Sequence, residues 1–218
     1  MTRKRLIFIT RSLYAGVFIG IGSIVYMLNP GIVGAILFSI GLFGCINLRL
    51  NLFTGKVGYA TALNGATIAD FFFMLMANVL GIGLLTGLFF SFADVNMPAM
   101  QQTAVKIVNT RLSTSLIGLL VGSIGCGMLM SHAVDRPTRS DADYNNILSY
   151  IPMLYCVPVF IMSCFPHCIA DIGYYTVYTI GGGFNADIIA VWAVCVLGNI
   201  IGCQLMGRCA RLLMAARY

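Results

Sequence analysis

Long apolar runs constrain the fold of this chain more than any other feature. Six stretches of mostly apolar residues follow one another, at about residues 12–28, 31–48, 68–92, 112–130, 147–178 and 187–206. A helix needs about 20 such residues to cross the hydrocarbon core of a bilayer. Only 9% of the residues are charged and glutamate is absent, whereas soluble domains carry about a quarter charged residues. The sequence therefore predicts an all-α membrane protein, with six transmembrane helices in a single domain over residues 1–218.

The positions of the basic residues indicate how these helices are oriented. With the N-terminus in the cytoplasm, all of the 13 lysines and arginines except Lys106 and Arg111 fall on the cytoplasmic side. We therefore expect a multi-pass protein of the cell (inner) membrane with both termini in the cytoplasm. The net charge of +6 is then a topology signal, and no nucleic-acid partner is expected.

The cysteines do not form a pattern typical of metal or redox chemistry. The chain has 8 of them, none in a CxxC pair, and they lie within or at the ends of the apolar runs. We interpret them as small core residues rather than as a disulfide framework, which is typical of small secreted domains. The sequence also lacks a phosphate loop, a GxGxxG motif and an HExxH motif. We predict no metal site, no cofactor and no enzymatic activity.

One titratable side chain, His167, lies inside the fifth apolar run, directly after Pro166. An ionisable group at membrane depth is costly, so it is expected to face a cavity or the helix bundle. The proline interrupts the helix at the same point. A broken helix that carries an ionisable residue near the midplane is typical of transport sites. The alternative is a structural histidine that donates a hydrogen bond to a backbone carbonyl.

The two halves of the chain resemble each other. The third run contains ANVLG at residues 77–81, the sixth contains GNIIG at 198–202, and the first and fourth are both rich in glycine. With three helices in each half, the second copy has the opposite orientation, which predicts an inverted repeat with halves at about 1–98 and 99–218. The second run should then be broken as the fifth is, within the mixed polar stretch 47–56. Because non-helical backbone at membrane depth must line a cavity, both breaks should face one pore.

These motifs resemble those of the formate–nitrite transporter family. The usual ELFTG of that family appears as NLFTG at 51–55, its GN motif as AN at 77–78, and its FEHSxAN as FPHCIAD at 165–171; GNIIG is intact at 198–202 and its lysine before the fourth helix matches Lys106. Asn51, Pro166 and Asp171 depart from the family pattern, as do the small residues around Gly122, where members often carry asparagine. The resemblance implies a homopentamer with an aquaporin-like fold and six helices per subunit, helices 2 and 5 being broken.

The resemblance and the two breaks together give eight candidate pore or substrate-binding residues. They are Leu52, Phe53, Thr54, Asn78, Lys106, His167, Asp171 and Asn199. Phe53 is expected to form a hydrophobic constriction and Thr54 to donate a hydrogen bond, unless this stretch is only loop packing. The two asparagines either satisfy the backbone at the breaks, contact the permeant species, or link helices.

The charged candidates each have two interpretations. Lys106 and Arg111 either ring an outer vestibule and raise the local anion concentration or are inert surface residues. Asp171 lies four residues after His167, so the two share a face if the helix resumes there. It either holds or charges the imidazole, or it caps a half-helix.

The sequence-based hypothesis is a channel for small monovalent anions of weak acids, such as formate, nitrite or hydrosulfide. The anion takes up a proton at the constriction, from His167 or from water, and crosses the bilayer as the neutral acid. The alternatives are a pore for neutral solutes (water, ammonia or hydrogen sulfide), a thiol-redox membrane protein that uses Cys164 and Cys168, and a purely structural membrane subunit. The expected partners are small anions, protons and the lipid bilayer.

Overall fold

The computed structural model describes residues 2–60, 64–135 and 147–215, and the regular structure in these ranges is helical. In chain order the helices are α1 (Arg3–Leu28), α2 (Ile32–Asn47), α3 (Phe53–Val57), α4 (Gly65–Phe92), α5 (Met97–Ser113), α6 (Leu116–Asp135), α7 (Ile151–Met162), α8 (Ala170–Ile180) and α9 (Asp187–Ala215). A single 3-10 turn at Ile147–Ser149 precedes α7. The all-α class predicted from the apolar runs is thus observed.

Among the described residues, four helices are long and apolar enough to cross a membrane, namely α1, α4, α6 and α9. Two shorter apolar helices, α2 and α7, contain 16 and 12 residues. Side-chain caps fix the starts of two long helices, since Thr2 accepts from the Arg5 N–H and Asn64 accepts from the Thr67 N–H. These caps satisfy backbone donors that have no partner within the helix.

The long helices pair closely, α1 with α4 and α6 with α9. Glycines make this approach possible in both pairs. A Cβ atom at Gly81 would lie 2.1 Å from the Leu13 carbonyl oxygen, and one at Gly202 would lie 2.0 Å from the Ile124 carbonyl oxygen. Both distances are far below van der Waals contact, so the backbones touch where these glycines lie. Gly81 and Gly202 each follow an asparagine by three residues, in the ANVLG and GNIIG motifs.

The two short apolar helices end in the same backbone motif. After α2, Arg49 has φ 51° and the Leu50 N–H donates to the Cys45 carbonyl. After α7, Cys164 has φ 54° and the Phe165 N–H donates to the Phe160 carbonyl. This is the Schellman arrangement, in which a left-handed residue turns the chain out of the helix. The motif directs both chains into non-helical segments, 48–52 before α3 and 163–169 before α8.

Helix α5 was not expected, because the hydropathy analysis assigned its residues to an exterior connection. Its sequence is too polar to count as a membrane span, but its buried residues Met100, Ala104, Val108 and Arg111 repeat at helical spacing. This face packs against α8 and α1. Of the two interpretations of Arg111, the one as an inert surface residue is therefore wrong, because the residue is only 6% exposed.

Replacing Gly81 with alanine should destabilise the fold. The added methyl would overlap the α1 backbone at Leu13, and overpacking of this kind costs about 1–3 kcal/mol. Gly83→Ala is the matched control on the same helix, because a Cβ atom there lies 3.7 Å from its nearest neighbour, the Thr176 hydroxyl. Thermal unfolding in detergent should show a lower midpoint for Gly81→Ala and an unchanged or higher one for Gly83→Ala. Equal midpoints would contradict the close α1–α4 contact.

Candidate functional site

Two buried asparagines hold the two non-helical segments in place. The Asn78 amide group on α4 donates to the Ser12 carbonyl at 2.6 Å and to the Asn51 carbonyl at 2.9 Å, while its oxygen accepts from the Phe53 N–H at 2.8 Å. The Asn78 side chain thus binds the backbone on both sides of Leu52 and connects this segment to α1. In an apolar interior these backbone groups would otherwise lose their hydrogen bonds.

Asn199 makes the matching contacts in the second half of the chain. Its amide group donates to the Ser123 carbonyl at 2.8 Å and to the Pro166 carbonyl at 3.0 Å, and its oxygen accepts from the Cys168 N–H at 2.8 Å. His167 lies between these two backbone contacts, as Leu52 does in the first half. Trp192 adds a further bond from its indole N–H to the Cys168 carbonyl at 2.7 Å.

The His167 ring joins the two segments. Its Nε2 lies 3.0 Å from the Thr54 hydroxyl, and its Nδ1 accepts a hydrogen bond from the Ala170 N–H at 3.0 Å. Because Nδ1 is an acceptor, the neutral ring carries its proton at Nε2 and donates it to Thr54. Ala170 is the first residue of α8, so the imidazole also caps that helix. Both His167 and Thr54 are buried.

One aromatic ring stacks directly on the imidazole, and further ring pairs lie on α2, α3 and α4. Phe160 on α7 stacks on His167 at 5.5 Å between ring centroids, and Phe38 on α2 meets the edge of Phe160 at 6.2 Å. On the other segment, Phe53 packs edge-on against Phe71 on α4 at 6.2 Å. The polar contact between His167 and Thr54 is buried, since the two residues are 2% and 1% exposed, and bulk water is therefore excluded from it.

Arg111 and Asp171 form a buried ion pair beside the histidine segment. Arg111 binds both carboxylate oxygens, Nε to Oδ2 at 3.0 Å and one terminal nitrogen to Oδ1 at 3.3 Å. Its other terminal nitrogen donates to the Cys164 carbonyl at 2.7 Å. Asp171 was expected to hold the imidazole or to cap the helix. Instead its carboxylate binds Arg111, and the cap of α8 comes from His167.

An open cavity of about 570 Å³ lies against this ion pair. It is lined by residues from α1, α5, α7, α8 and the segment 163–169, among them Lys106, Arg111, Phe160, Cys164 and Asp171. Lys106 is exposed. The cavity brings Lys106 and Asp171 together beside the His167 segment, whereas Leu52, Phe53, Thr54 and Asn78 are not part of its wall.

Three side chains of α9 bind backbone carbonyls in and directly after α3. Cys203 Sγ lies 3.2 Å from the Thr54 carbonyl, the Gln204 amide group donates to the Val57 carbonyl, and Arg211 donates to the Gly58 carbonyl at 3.4 Å. These contacts satisfy carbonyls at the end of a helix of 5 residues. The position of Thr54 beside His167 therefore depends on α9.

Several site residues were missed by the sequence analysis. Phe160 and Phe38 looked like ordinary apolar residues, and only their contacts with His167 and with each other distinguish them. Arg111 was noted for its charge but not for its pairing. The spacing of Met100, Ala104, Val108 and Arg111 could have indicated a buried helical face, and Trp192, the sole tryptophan, could have been noted as a hydrogen-bond donor in an apolar run.

Replacing Asn199 with alanine should loosen the His167 segment. The change removes three hydrogen bonds, and each buried backbone group left without a partner costs about 1–3 kcal/mol. Hydrogen exchange should become faster for the amides of residues 164–170. Asn109→Ala on the exposed face of α5 is the control and should leave this exchange unchanged. Similar protection in the two variants would show that the carboxamide does not hold the segment.

Comparison with known proteins agrees with the resemblance found in the motifs. The formate/nitrite transporter family model matches residues 1–212. A structure described as a pentameric formate channel with formate bound is 18% identical, with a TM-score of 0.81, and the match covers 99% of this chain and 100% of that one.

A second structure, an FNT family ion channel, is 20% identical with a TM-score of 0.74, over 93% of this chain and 86% of that one. At these identities the likeness is one of fold. No curated protein sequence matches the chain. The family and both similar structures are transporters or channels, not enzymes. This chain is a multi-pass membrane protein that belongs to the formate/nitrite transporter family.

Proposed function

We propose that this protein is a channel subunit for small monovalent anions of weak acids, such as formate, nitrite or hydrosulfide. In this proposal α2–α3 and α7–α8 are two broken transmembrane helices of an inverted repeat with halves at about 1–98 and 99–218. The matched contacts of Asn78 and Asn199 support the repeat, since each binds backbone on both sides of one residue, Leu52 or His167. The distribution of basic residues supports cytoplasmic termini in the cell membrane.

The observation that carries the proposal is the hydrogen bond between His167 Nε2 and the Thr54 hydroxyl, enclosed by Phe160. It gives a polar contact between two buried residues at a point that bulk water does not reach. A bare anion transferred into such a medium costs on the order of 20 kcal/mol. Protonation of the anion removes most of this cost, so the neutral acid is the species that crosses the constriction.

The contacts of the imidazole support a neutral ring during this step. A proton on Nδ1 would face the Ala170 N–H, which donates to that atom, and the cap of α8 would be lost. We therefore favour water at the mouth of the constriction as the source of the proton. The Nε2–H group and the Thr54 hydroxyl then serve as hydrogen-bond donors to the permeating acid. Transport is electroneutral, with a proton for each anion.

The outer cavity and the assembly complete the proposal. The exposed Lys106 would attract anions into the cavity of about 570 Å³, because a concave surface focuses the field of its charges. Phe53 and Leu52 would form the apolar wall on the other side of the histidine. One similar structure is described as a pentameric formate channel, and on this basis we propose a homopentamer in the lipid bilayer.

A pore for neutral solutes such as water, ammonia or hydrogen sulfide is the second candidate. One observation favours it: the described contacts of the imidazole are with Thr54, Ala170 and Phe160, none of them charged. The two candidates differ in their response to pH. The flux of a neutral solute depends only on the concentration of its neutral form. The flux of a weak-acid anion instead saturates as the anion concentration rises, and it carries protons.

Replacing His167 with asparagine should lower formate uptake by about two- to tenfold, which is the effect of losing a hydrogen bond between neutral groups worth about 0.5–1.5 kcal/mol. Asparagine can still accept from the Ala170 N–H as a helix cap, but it is too short to reach Thr54. Uptake into proteoliposomes should be compared with His132→Asn. His132 bonds the Tyr155 hydroxyl at 2.7 Å, away from Thr54, and its replacement should leave uptake unchanged. Equal uptake by the His167 variant and wild type would contradict the role of the ring.

Formate uptake should acidify the vesicle interior when the protein is present. An entrapped pH dye reports this proton movement, and protein-free vesicles give the background. Uptake should rise as the external pH is lowered, because the anion must collect a proton before it crosses. Uptake that generates a membrane potential and leaves the internal pH unchanged would refute proton coupling. Flux equal to the protein-free background for formate, nitrite and hydrosulfide would refute the proposed function.

A further inference from the structure

The Arg111–Asp171 pair lies where it could affect both the backbone of the histidine segment and the charge of the outer cavity. Both residues are buried, 6% and 1% exposed, yet both contribute to the cavity wall. Arg111 Nε lies 3.0 Å from Asp171 Oδ2, so two buried and oppositely charged side chains form an ion pair here. Its cost in desolvation is high unless every donor is satisfied, and the donors of Arg111 are indeed distributed over several partners.

Arg111 connects the two ends of the non-helical segment. At the end of α7 it donates to the Cys164 carbonyl at 2.7 Å and to the Phe165 carbonyl at 3.5 Å. At the start of α8 it binds the carboxylate of Asp171. A single guanidinium from α5 thus holds both sides of the segment that carries His167, and its planar group suits this distribution of acceptors.

The opposite charges of Arg111 and Asp171 largely cancel for an ion that is farther from the pair than the two charges are from each other. Because the carboxylate binds the guanidinium through two oxygens, an anion in the cavity meets a dipole instead of a full positive charge. Lys106 differs, since its side chain is exposed on the same cavity and no ion pair within 4.0 Å is found for it in the described ranges.

We propose that Arg111 is a positioning residue whose positive charge is neutralised by Asp171. Of the two cations in the cavity wall, only Lys106 then attracts the permeant anion. Arg111 holds the histidine segment, and Asp171 sets how strongly the cavity attracts negative charge. The part of this inference that concerns capture of formate rests on the proposed function. The part that concerns the potential in the cavity does not, and it can be measured separately.

Cys164 provides a probe at the right place. It is exposed, lines the cavity and contacts Arg111 through its carbonyl. The other exposed cysteine, Cys209, is removed by Cys209→Ser. Two thiosulfonate reagents of similar size, one ending in a sulfonate and the other in a trimethylammonium group, then report the local potential through the ratio of their labelling rates in detergent. Cys209→Ser/Cys164→Ser gives the background from buried thiols.

The expected changes in the anionic-to-cationic rate ratio separate the roles of the charges. Lys106→Gln should lower the ratio by about three- to tenfold and Asp171→Asn should raise it by about the same factor, as expected for one charge near a partly solvated cavity. The double variant Arg111→Gln/Asp171→Asn removes both paired charges. Its labelling ratio should stay within about twofold of the ratio for the Cys209→Ser protein without further changes. A double variant that lowers the ratio as Lys106→Gln does would overturn the proposal, since the anionic reagent would then feel Arg111 in the native cavity.

Formate uptake tests the functional consequence. Asp171→Asn should lower the half-saturating formate concentration by about three- to tenfold, while Lys106→Gln should raise it; a loss of maximal rate alone would indicate a purely structural pair and would contradict the proposal. If Asp171→Asn does not fold, the comparison of the double variant with Lys106→Gln still decides. If wild-type protein moves no formate above protein-free vesicles, the proposed function fails, whereas the labelling ratios still decide the role of the pair.

Discussion

The need to satisfy backbone hydrogen bonds away from water is the constraint on which this structure depends. Segments 48–52 and 163–169 leave the helical pattern inside a bundle of apolar helices, where each unpaired N–H or C=O group would cost several kcal/mol. Asn78 and Asn199 meet this need with one carboxamide each, by donating two bonds and accepting one. Both are fully buried and both also bind a neighbouring long helix. The same two side chains therefore stabilise the non-helical segments and fix them against the helix pairs α1–α4 and α6–α9.

The position of His167 is restricted by the backbone contacts on both sides of it. A histidine between two backbone groups held by Asn199 has little freedom to move, and its ring reaches Thr54 on the other segment. The Nδ1 atom is occupied by the α8 N-terminus, so the ring presents a proton only at Nε2. A structural and a functional role for the histidine, which the sequence left as alternatives, thus do not exclude each other. The cap defines which nitrogen faces Thr54, and the stacking of Phe160 defines the plane of the ring.

The sequence was most informative where one residue type has one physical use. Apolar runs predicted the membrane class, and the repeated asparagine motifs with the histidine segment indicated the family, which the match over residues 1–212 confirms. The six-helix inverted repeat remains a prediction. The sequence was least informative where a residue depends on a distant partner. Hydropathy could not predict α5, because the helix is polar overall and buries only one face. Arg111 was interpreted as an exterior cation because the residues around it give no sign that its partner is Asp171, 60 residues later.

Two departures from the family pattern are neighbours in the structure although they are far apart along the chain. Gly122 and Pro166 are 44 residues apart in the sequence, yet a Cβ atom at Gly122 would lie 3.2 Å from Cδ of Pro166. A Cβ atom at this distance would make a tighter contact than is usual, so a glycine at 122 and a proline at 166 fit each other. Phe165 fills the adjacent space in the same way, 2.9 Å from a Cβ atom at Gly125. Asp171 has its own distant partner in Arg111. Each unusual residue of the histidine segment is thus matched by a residue on α5 or α6, and the segment keeps its hydrogen bonds to Asn199 despite the altered sequence.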